Sequence, residues 1–344
     1  MTATRVAFLD VDHVLQMVQD LLVADTDQEW DELGTFFAPD VPDRGPLREL
    51  RAGIVPVAFP AEADVLLLRR GVVTRNLIEA CPRVRLVQRL GARLDGIDLD
   101  AAREHGVAVS CLPRPSLART AEHALLLMLA LVKQLVPADR AVRAGAPATA
   151  TAVTYNWAGR TGLGGLSGKV LGVVGLGEVG RLVAERARAF GMRVVYTART
   201  RLTVERETAL GVEHRTLSAL LAEADIVSLH VPGTIATAPV IGRAELAAMR
   251  PGALLINTAR GRLVDEDALY DALVSGQLGG AGLDVHGVEP RPVGDRFAAL
   301  DSVVLTPHIA GGSRLEVLGE VARMVENIRA VLGGGAPVHG RVVP

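Results

Sequence analysis

Only two cysteines, Cys81 and Cys111, occur in 344 residues, thirty positions apart and outside any Cys-x-x-Cys or Cys-x-x-His pattern. That argues against a disulfide framework or a cysteine-based zinc site and for free structural thiols in a reducing compartment. Neither sign of charge is in excess. The 37 Lys and Arg against 39 Asp and Glu leave a formal net charge of −2, so no basic footprint for nucleic acid is present. No apolar run approaches the ~20 residues that span a bilayer; the longest covers residues 124–132. The opening Met1-Thr2-Ala3-Thr4-Arg5-Val6 lacks the basic region, apolar core and cleavage site of a secretory signal, which leaves the cytoplasm as the expected compartment. Internal repeats are absent, and the only low-complexity tract is the glycine run at residues 333–335.

The chain is long enough for two domains with separate cores, and 49% hydrophobic with 22% charged residues is the composition of a globular protein. Short apolar runs alternate with helical patterns, which predicts an α/β fold of parallel sheets covered on both faces. Expected strands in the first third cover residues 6–9, 54–57, 64–68, 85–88 and 107–109. A second set starts at Val170 and continues at 193–196, 226–230, 254–257, 282–285 and 303–306. Between the sets, residues 121–131 are apolar around nearly the whole helical circumference, as for a helix buried on all sides at a domain or subunit interface. Residues 137–168 read as a long connection that carries Trp157. Leu315, Leu318, Val321, Ala322, Val325 and Ile328 have the spacing of a core-facing helix that returns to the first domain. In the acidic stretch 10–45, Asp10 and Asp12 are candidate metal ligands, but a solvated strand end with helix-start carboxylates is the expectation, since nothing nearby completes an oxygen cage.

The sharpest local signal is Gly175-Leu176-Gly177-Glu178-Val179-Gly180, placed between an apolar strand and a helical pattern. In that context the glycines serve a tight turn, close approach of a pyrophosphate and helix-strand packing, with the phosphates at the helix N-terminus. A dinucleotide-binding domain in the middle of the chain follows. The next strand ends in Thr197-Ala198-Arg199-Thr200-Arg201, with no carboxylate for a ribose 2′-hydroxyl. Arg199 and Arg201 suit a 2′-phosphate, so NADP(H) is expected over NAD(H), the alternative being that both are solvated surface charges.

Three later segments put a polar side chain just past a strand, where ligands bind in open parallel sheets: Arg260, Glu289 and His308. Together with Ala121-Glu122-His123-Ala124-Leu125, the glycine loop, Leu229-His230-Val231-Pro232, the run from Met249 to Gly261, Leu263-Val264-Asp265-Glu266, the stretch from Asp284 to Pro290 and Thr306-Pro307-His308, they give a chain that resembles the D-isomer-specific 2-hydroxyacid dehydrogenases over residues 65–330. The resemblance implies two doubly wound parallel-sheet domains, a flavodoxin-like substrate domain (1–116 with 310–344) and a Rossmann NAD(P)-binding domain (117–309), with the active site in the cleft between them. It implies His308 as acid/base, Glu289 as its carboxylate partner and Arg260 as the group that holds the substrate. It also assigns the cofactor to Gly175, Leu176, Gly177, Glu178, Val179, Gly180, Arg199, Thr200, Arg201, His230, Val231, Pro232, Thr258, Ala259, Arg260, Asp284 and His308, with Asp284 on the nicotinamide carboxamide. These roles suit the side chains. Histidine holds a proton near neutral pH, a neighbouring carboxylate favours its charged form, and a guanidinium grips a carboxylate at two points. For His123 and His230, packing or hydrogen bonding is the better reading.

The resemblance implies a homodimer acting on a small 2-keto or 2-hydroxy acid, without nucleic acid, membrane or metal. In the first domain the chain departs from the family's pattern. Arg93 stands where a Gly-Val-Gly-like loop has its second glycine, next to Ala92; Arg114 and the pair Arg69-Arg70 lie on two further loops of the expected substrate site. Either these arginines bind a second anionic group on the substrate, or they point outward as solvated side chains. The ending Ala198-Arg199 is similar to the NADPH-preferring glyoxylate and hydroxypyruvate reductase subset. Phosphite oxidation on the same fold, or a dinucleotide-sensing protein similar to the corepressors built on this scaffold, are the alternatives.

Overall fold

Four consecutive aliphatic residues, Val65–Leu68, are all buried, which requires a strand with apolar layers on both faces. The computed structural model describes residues 3–10, 15–16, 19, 53–69, 71–114, 116–145, 151, 156–232, 239–312 and 314–343. It divides into two compact units, Met1–Pro115 with Ser313–Pro344, and Ser116–Gly312.

The first unit contains β1 (Thr4–Phe8), β2 (Ile54–Pro56), β3 (Val65–Leu68), α1 (Arg75–Glu79), β4 (Leu86–Leu90), α2 (Leu99–Glu104) and β5 (Ala108–Leu112), joined by a C-terminal helix, Arg314–Leu332, and strand, Arg341–Val343. The parallel strands run β2-β1-β3-β4-β5, the flavodoxin-like order. The C-terminal strand adds antiparallel to β5. Alternation along the strands splits the core in two. Leu67, Leu86 and Leu90 face Val321, Val325 and Ile328 of the C-terminal helix, whereas Leu66, Leu68 and Val87 face Ile78, Ala101 and Ala102. Cys81 and Cys111 are buried and free, and burial pushes the Cys81 thiol above its usual range, so it is a packing group. Asp10 is a backbone cap, accepting from Arg69 N at 2.9 Å and Gly71 N at 2.6 Å. Asp12 and most of residues 10–45 lie outside the described residues.

The second unit contains α3 (Ser116–Val132), α4 (Leu135–Ala144), β6 (Val170–Val174), α5 (Glu178–Ala189), β7 (Arg193–Thr197), α6 (Val204–Leu210), β8 (Val212–His214), α7 (Leu217–Glu223), β9 (Ile226–Leu229), α8 (Arg243–Ala248), β10 (Ala253–Asn257), α9 (Glu266–Val274), β11 (Leu278–Leu283) and β12 (Val303–Leu305). The order β12-β11-β10-β9-β6-β7-β8 is parallel throughout, a Rossmann sheet with one further strand. No helix among the described residues is long and apolar enough to cross a membrane.

Two expectations need correction. Residues 137–168 are not one connection, because α4 occupies its start, with Pro137 in the first turn where a missing N–H is tolerated. In the single chain, Glu122 and Leu126 form an outward stripe on α3, Leu126 being 49% exposed. Strand β11 begins at Leu278 and ends at Leu283, earlier than the expected 282–285. Its glycines are required by neighbours, for a Cβ on Gly282 would lie 2.9 Å from Leu127 Cβ of α3, and one on Gly279 2.4 Å from Gly252 O.

Candidate active site

Because every strand of the second unit is parallel, the loops after β6, β7, β9, β10, β11 and β12 all leave one edge of the sheet. Most of the residues expected to act on a cofactor or substrate lie there. After β6, Gly175 has φ of +98°, and a Cβ on it would approach Val231 Cγ1 to 2.6 Å. A Cβ on Gly180 would meet Gly175 O at 2.1 Å, so α5 touches the turn, whereas nothing lies within 4 Å of a Cβ on Gly177. The glycines thus divide into two packing positions and one that keeps open space at the helix N-terminus, the cradle a pyrophosphate needs. Thr258 Oγ1, on the loop after β10, is buried with no hydrogen-bond partner among the described residues, a polar atom of the kind a bound ligand satisfies. The residues present fit a dinucleotide. His230, after β9, bonds Ser228 Oγ at 2.9 Å, and burial pushes its imidazole down to about 4, so it is neutral at pH 7.

At the end of β7 the two arginines are not equivalent. Arg201 lies on Glu207, with Nε 2.9 Å from Oε1 and Nη2 2.9 Å from Oε2. The buried Tyr196 hydroxyl donates to the same carboxylate at 2.8 Å and accepts from Leu202 N at 2.9 Å. Bonds from Arg201 and then Tyr196 bring the Glu207 carboxyl down to about 2. Arg199 is exposed, with no ion-pair partner among the described residues, so it is the free cation of this loop; Thr200 is exposed beside it. A carboxyl lowered from 4.5 to about 2 contributes stability that is complete above its unfolded value and lost as pH falls toward the folded one. The expected result is a Tm difference between wild type and Glu207→Gln that is full near neutrality and narrows below about pH 4.5. Thermal unfolding across pH checks it, and a difference constant to about pH 3 would contradict it.

The loop after β10 is closed by Asn257, 1% exposed, whose Nδ2 donates to Arg260 O at 2.9 Å and whose Oδ1 accepts from Ala259 N at 3.0 Å. Arg260 is partly buried, its Nη1 2.6 Å from Ala259 O. A Cβ on Gly261 would sit 1.9 Å from His286 O, so this loop packs backbone to backbone on the loop that carries Glu289. Glu289 Oε1 accepts from His286 N at 2.8 Å, and Oε2 lies 2.7 Å from His308 Nδ1. Partial burial opposes ionisation of Glu289, but the bonds from His308 and the His286 N–H outweigh it and hold the carboxyl below the usual carboxylate range.

Two residues that sequence reasoning left without this role brace the pair. Arg291 donates from Nε to His286 Nδ1 at 2.7 Å and from Nη2 to Glu266 Oε1 at 2.5 Å. Since a guanidinium only donates, His286 Nδ1 is an acceptor and its Nε2–H donates to Thr306 O at 2.9 Å. His123 Nε2 lies 2.9 Å from Thr306 Oγ1. His308 itself has φ of +57°, a conformation that costs a residue with a Cβ ~1–3 kcal/mol and persists where the surroundings over-determine it. Asp284 does so. Fully buried, it accepts from Thr306 Oγ1 at 2.6 Å, Ile309 N at 2.9 Å and Ala310 N at 2.9 Å, gripping the turn on both sides of His308. His123 Nε2 of α3 also lies 3.5 Å from Asp284 Oδ1.

The first-unit arginines divide. Arg93 is exposed and pairs with Asp95, Nε to Oδ1 at 2.7 Å and Nη2 to Oδ2 at 2.5 Å. Arg69, Ala92 and Arg114 are partly buried, and Arg70 lies outside the described residues. Arg89, never singled out from sequence, is 4% exposed at the end of β4. Its signal was a charge inside the apolar run Leu86-Val87-Gln88-Arg89-Leu90.

A Rossmann sheet opened by a Gly-x-Gly-x-x-Gly turn with open space at its middle glycine defines the second unit as a dinucleotide-binding domain. Residues 125–310 match the family described as D-isomer specific 2-hydroxyacid dehydrogenase, NAD binding domain. The chain is 40% identical to D-3-phosphoglycerate dehydrogenase of Mycobacterium bovis over 84% of its own length, and covers 52% of that protein, about half. It is 36% identical to a glyoxylate reductase of Thermococcus litoralis over 89% of each chain. It also superposes on a crystal structure of a glyoxylate reductase from Paecilomyes thermophila with a TM-score of 0.61, 30% identity and 98% coverage of both. The chain belongs to the D-isomer-specific 2-hydroxyacid dehydrogenase family, and its second unit corresponds to the NAD-binding domain of that family.

Proposed function

We propose that this protein is an NADPH-dependent reductase of a small 2-keto acid, giving the D-2-hydroxy acid, with His308 as acid/base, Glu289 as its partner and Arg260 on the substrate carboxylate. The observation that carries the reading is the 2.7 Å His308–Glu289 pair on the same sheet edge as the glycine loop. In this assignment residues 117–309 hold the cofactor and residues 1–116 with 310–344 hold the substrate.

When bound, the dihydronicotinamide supplies a hydride to the carbonyl carbon. Gly177 and the N-terminus of α5 hold the pyrophosphate, and Arg199 and Thr200 the 2′-phosphate. The chain supplies the rest. Arg260 fixes the carboxylate and polarises the keto group. His308 Nδ1–H donates to Glu289, so Nε2 is the nitrogen left to carry a proton to the keto oxygen. The Arg93–Asp95 pair lessens the support for a substrate with a second anionic group, while the likeness to a D-3-phosphoglycerate dehydrogenase keeps a phosphorylated 2-keto acid in the test.

The reading predicts steady nicotinamide oxidation with glyoxylate or hydroxypyruvate, in a panel that includes phosphohydroxypyruvate. Tight NADPH binding without turnover of any 2-keto acid would instead mark a dinucleotide-sensing protein. Cofactor choice is tested by Arg199→Ala. A charge-assisted contact is worth ~1.5–3 kcal/mol, so KM for NADPH should rise roughly ten- to hundredfold with KM for NADH little changed. Equal effects on both, or a wild type that prefers NADH, would remove the NADPH assignment. We infer a cytoplasmic homodimer, for which light scattering on the eluting protein should give twice the chain mass.

A further inference from the structure

Arg89 is a buried cation without a carboxylate. Its Nη1 donates to Asp95 O at 2.6 Å and Arg93 O at 3.0 Å, its Nη2 to Gly71 O at 2.6 Å, and its Nε has no partner among the described residues. No acidic side chain there lies within ion-pair distance of it, and Asp95, whose carbonyl it takes, spends its carboxylate on Arg93. Carbonyl oxygens satisfy the donors of a guanidinium but do not cancel its charge, and buried charges in proteins are ordinarily matched.

The same bonds set the shape of two loops. β4 leads into residues 91–96 and β3 into 69–73, both at the carboxyl edge of a parallel sheet, where ligands of such sheets bind. Val73 N donates to Gly96 O at 2.7 Å and Asp98 N to Val73 O at 2.8 Å, tying the loops together. In a trans peptide the carbonyl and the following N–H point in opposite directions. Drawing the carbonyls of residues 71, 93 and 95 onto Arg89 therefore turns the amides of Val72, Leu94 and Gly96 away from it, and these three donate to no group among the described residues.

We propose that Arg89 is a positioning residue of a carboxylate site on the first unit: its fork holds residues 71 and 93–95 so that their following amides face outward, and its charge beneath them awaits the substrate anion. This rests on the reading of the chain as a 2-keto acid reductase and assigns recognition to a residue that never reaches the substrate. It differs from a surface role for Arg93, whose charge is already matched.

The test compares wild type, Arg89→Gln and Arg89→Lys as full chains, reading KM for glyoxylate, KM for NADPH, kcat, and the rise in Tm caused by oxalate, which reports anion binding without turnover. Arg89→Gln should raise KM for glyoxylate roughly ten- to hundredfold, leave KM for NADPH within about twofold, and lose the oxalate shift. Arg89→Lys, which keeps the charge but not the fork, should restore part of both. If Arg89→Gln does not fold, Arg89→Lys decides, and a KM and oxalate shift equal to wild type would overturn the proposal. So would equal rises in both KM values, the mark of a structural role, or a wild type that oxalate does not stabilise. Should wild type reduce no 2-keto acid yet show an oxalate shift that the variants weaken, the anion site stands and the proposed reaction falls.

Discussion

His308→Gln is expected to lower kcat for reduction of a 2-keto acid ~10²–10⁴-fold, the usual worth of a positioned acid/base, with the NADPH dissociation constant within about twofold of wild type. Glutamine reaches Glu289 with an amide N–H in place of Nδ1–H, so the 2.7 Å contact has a substitute, but no proton is available for the keto oxygen. The side chain is 41% exposed, so its loss opens no core cavity, and any fall in Tm should be small. Steady-state kinetics and a fluorescence titration with NADPH separate the two effects. A kcat within about threefold of wild type would remove His308 from the proton path, and a matching loss of NADPH binding would recast it as a cofactor contact.

Asp284→Ala should have the largest effect on stability. The fully buried carboxylate accepts three hydrogen bonds, and its removal leaves Thr306 Oγ1 and two amides without an acceptor inside the protein. Bonds to a charged group are worth ~1.5–3 kcal/mol each, and breaking a buried charged network typically costs ~3–5 kcal/mol in all. At ~2–4 °C per kcal/mol for a unit of this size, Tm should fall on the order of ten degrees. Because the turn then lacks what holds His308 at φ of +57°, kcat should fall even at temperatures where the variant remains folded. A stable variant with wild-type kcat would show that the turn keeps its shape by other means.

These expectations depend unequally on what a linear sequence displays. The glycine loop was legible because strand, turn and helix are consecutive, and most strands of both sheets because doubly covered strands are continuous apolar runs, whereas the short edge strand Val212–His214 was not read. The His308–Glu289 pair spans nineteen positions, and the chain alone names neither partner; family likeness brought them together before the geometry did. Strand β11 was misplaced because the glycines that make room for α3 erase its apolar pattern. The C-terminal strand is three residues long, and the backbone before it is set by Asn327, whose Oδ1 accepts from Val338 N at 2.9 Å and His339 N at 2.8 Å. Arg89, Arg291 and the Asp284 network were silent because their meaning arises from loops distant in sequence. The division of labour between Arg199 and Arg201 turns on Glu207, which a residue-type pattern does not orient.

The bonds that orient His308 all come from one uninterrupted stretch, residues 123–310, which also contains the glycine loop and the β7 arginines. The proposed acid/base pair and the dinucleotide loops therefore form a cassette on one piece of chain within one compact unit, while the carboxylate site proposed around Arg89 lies in the other. For anyone redirecting this protein to a new keto acid, the loops at 69–73 and 91–96 are the place to randomise, since the bonds described around the proposed acid/base pair come from residues 123–310.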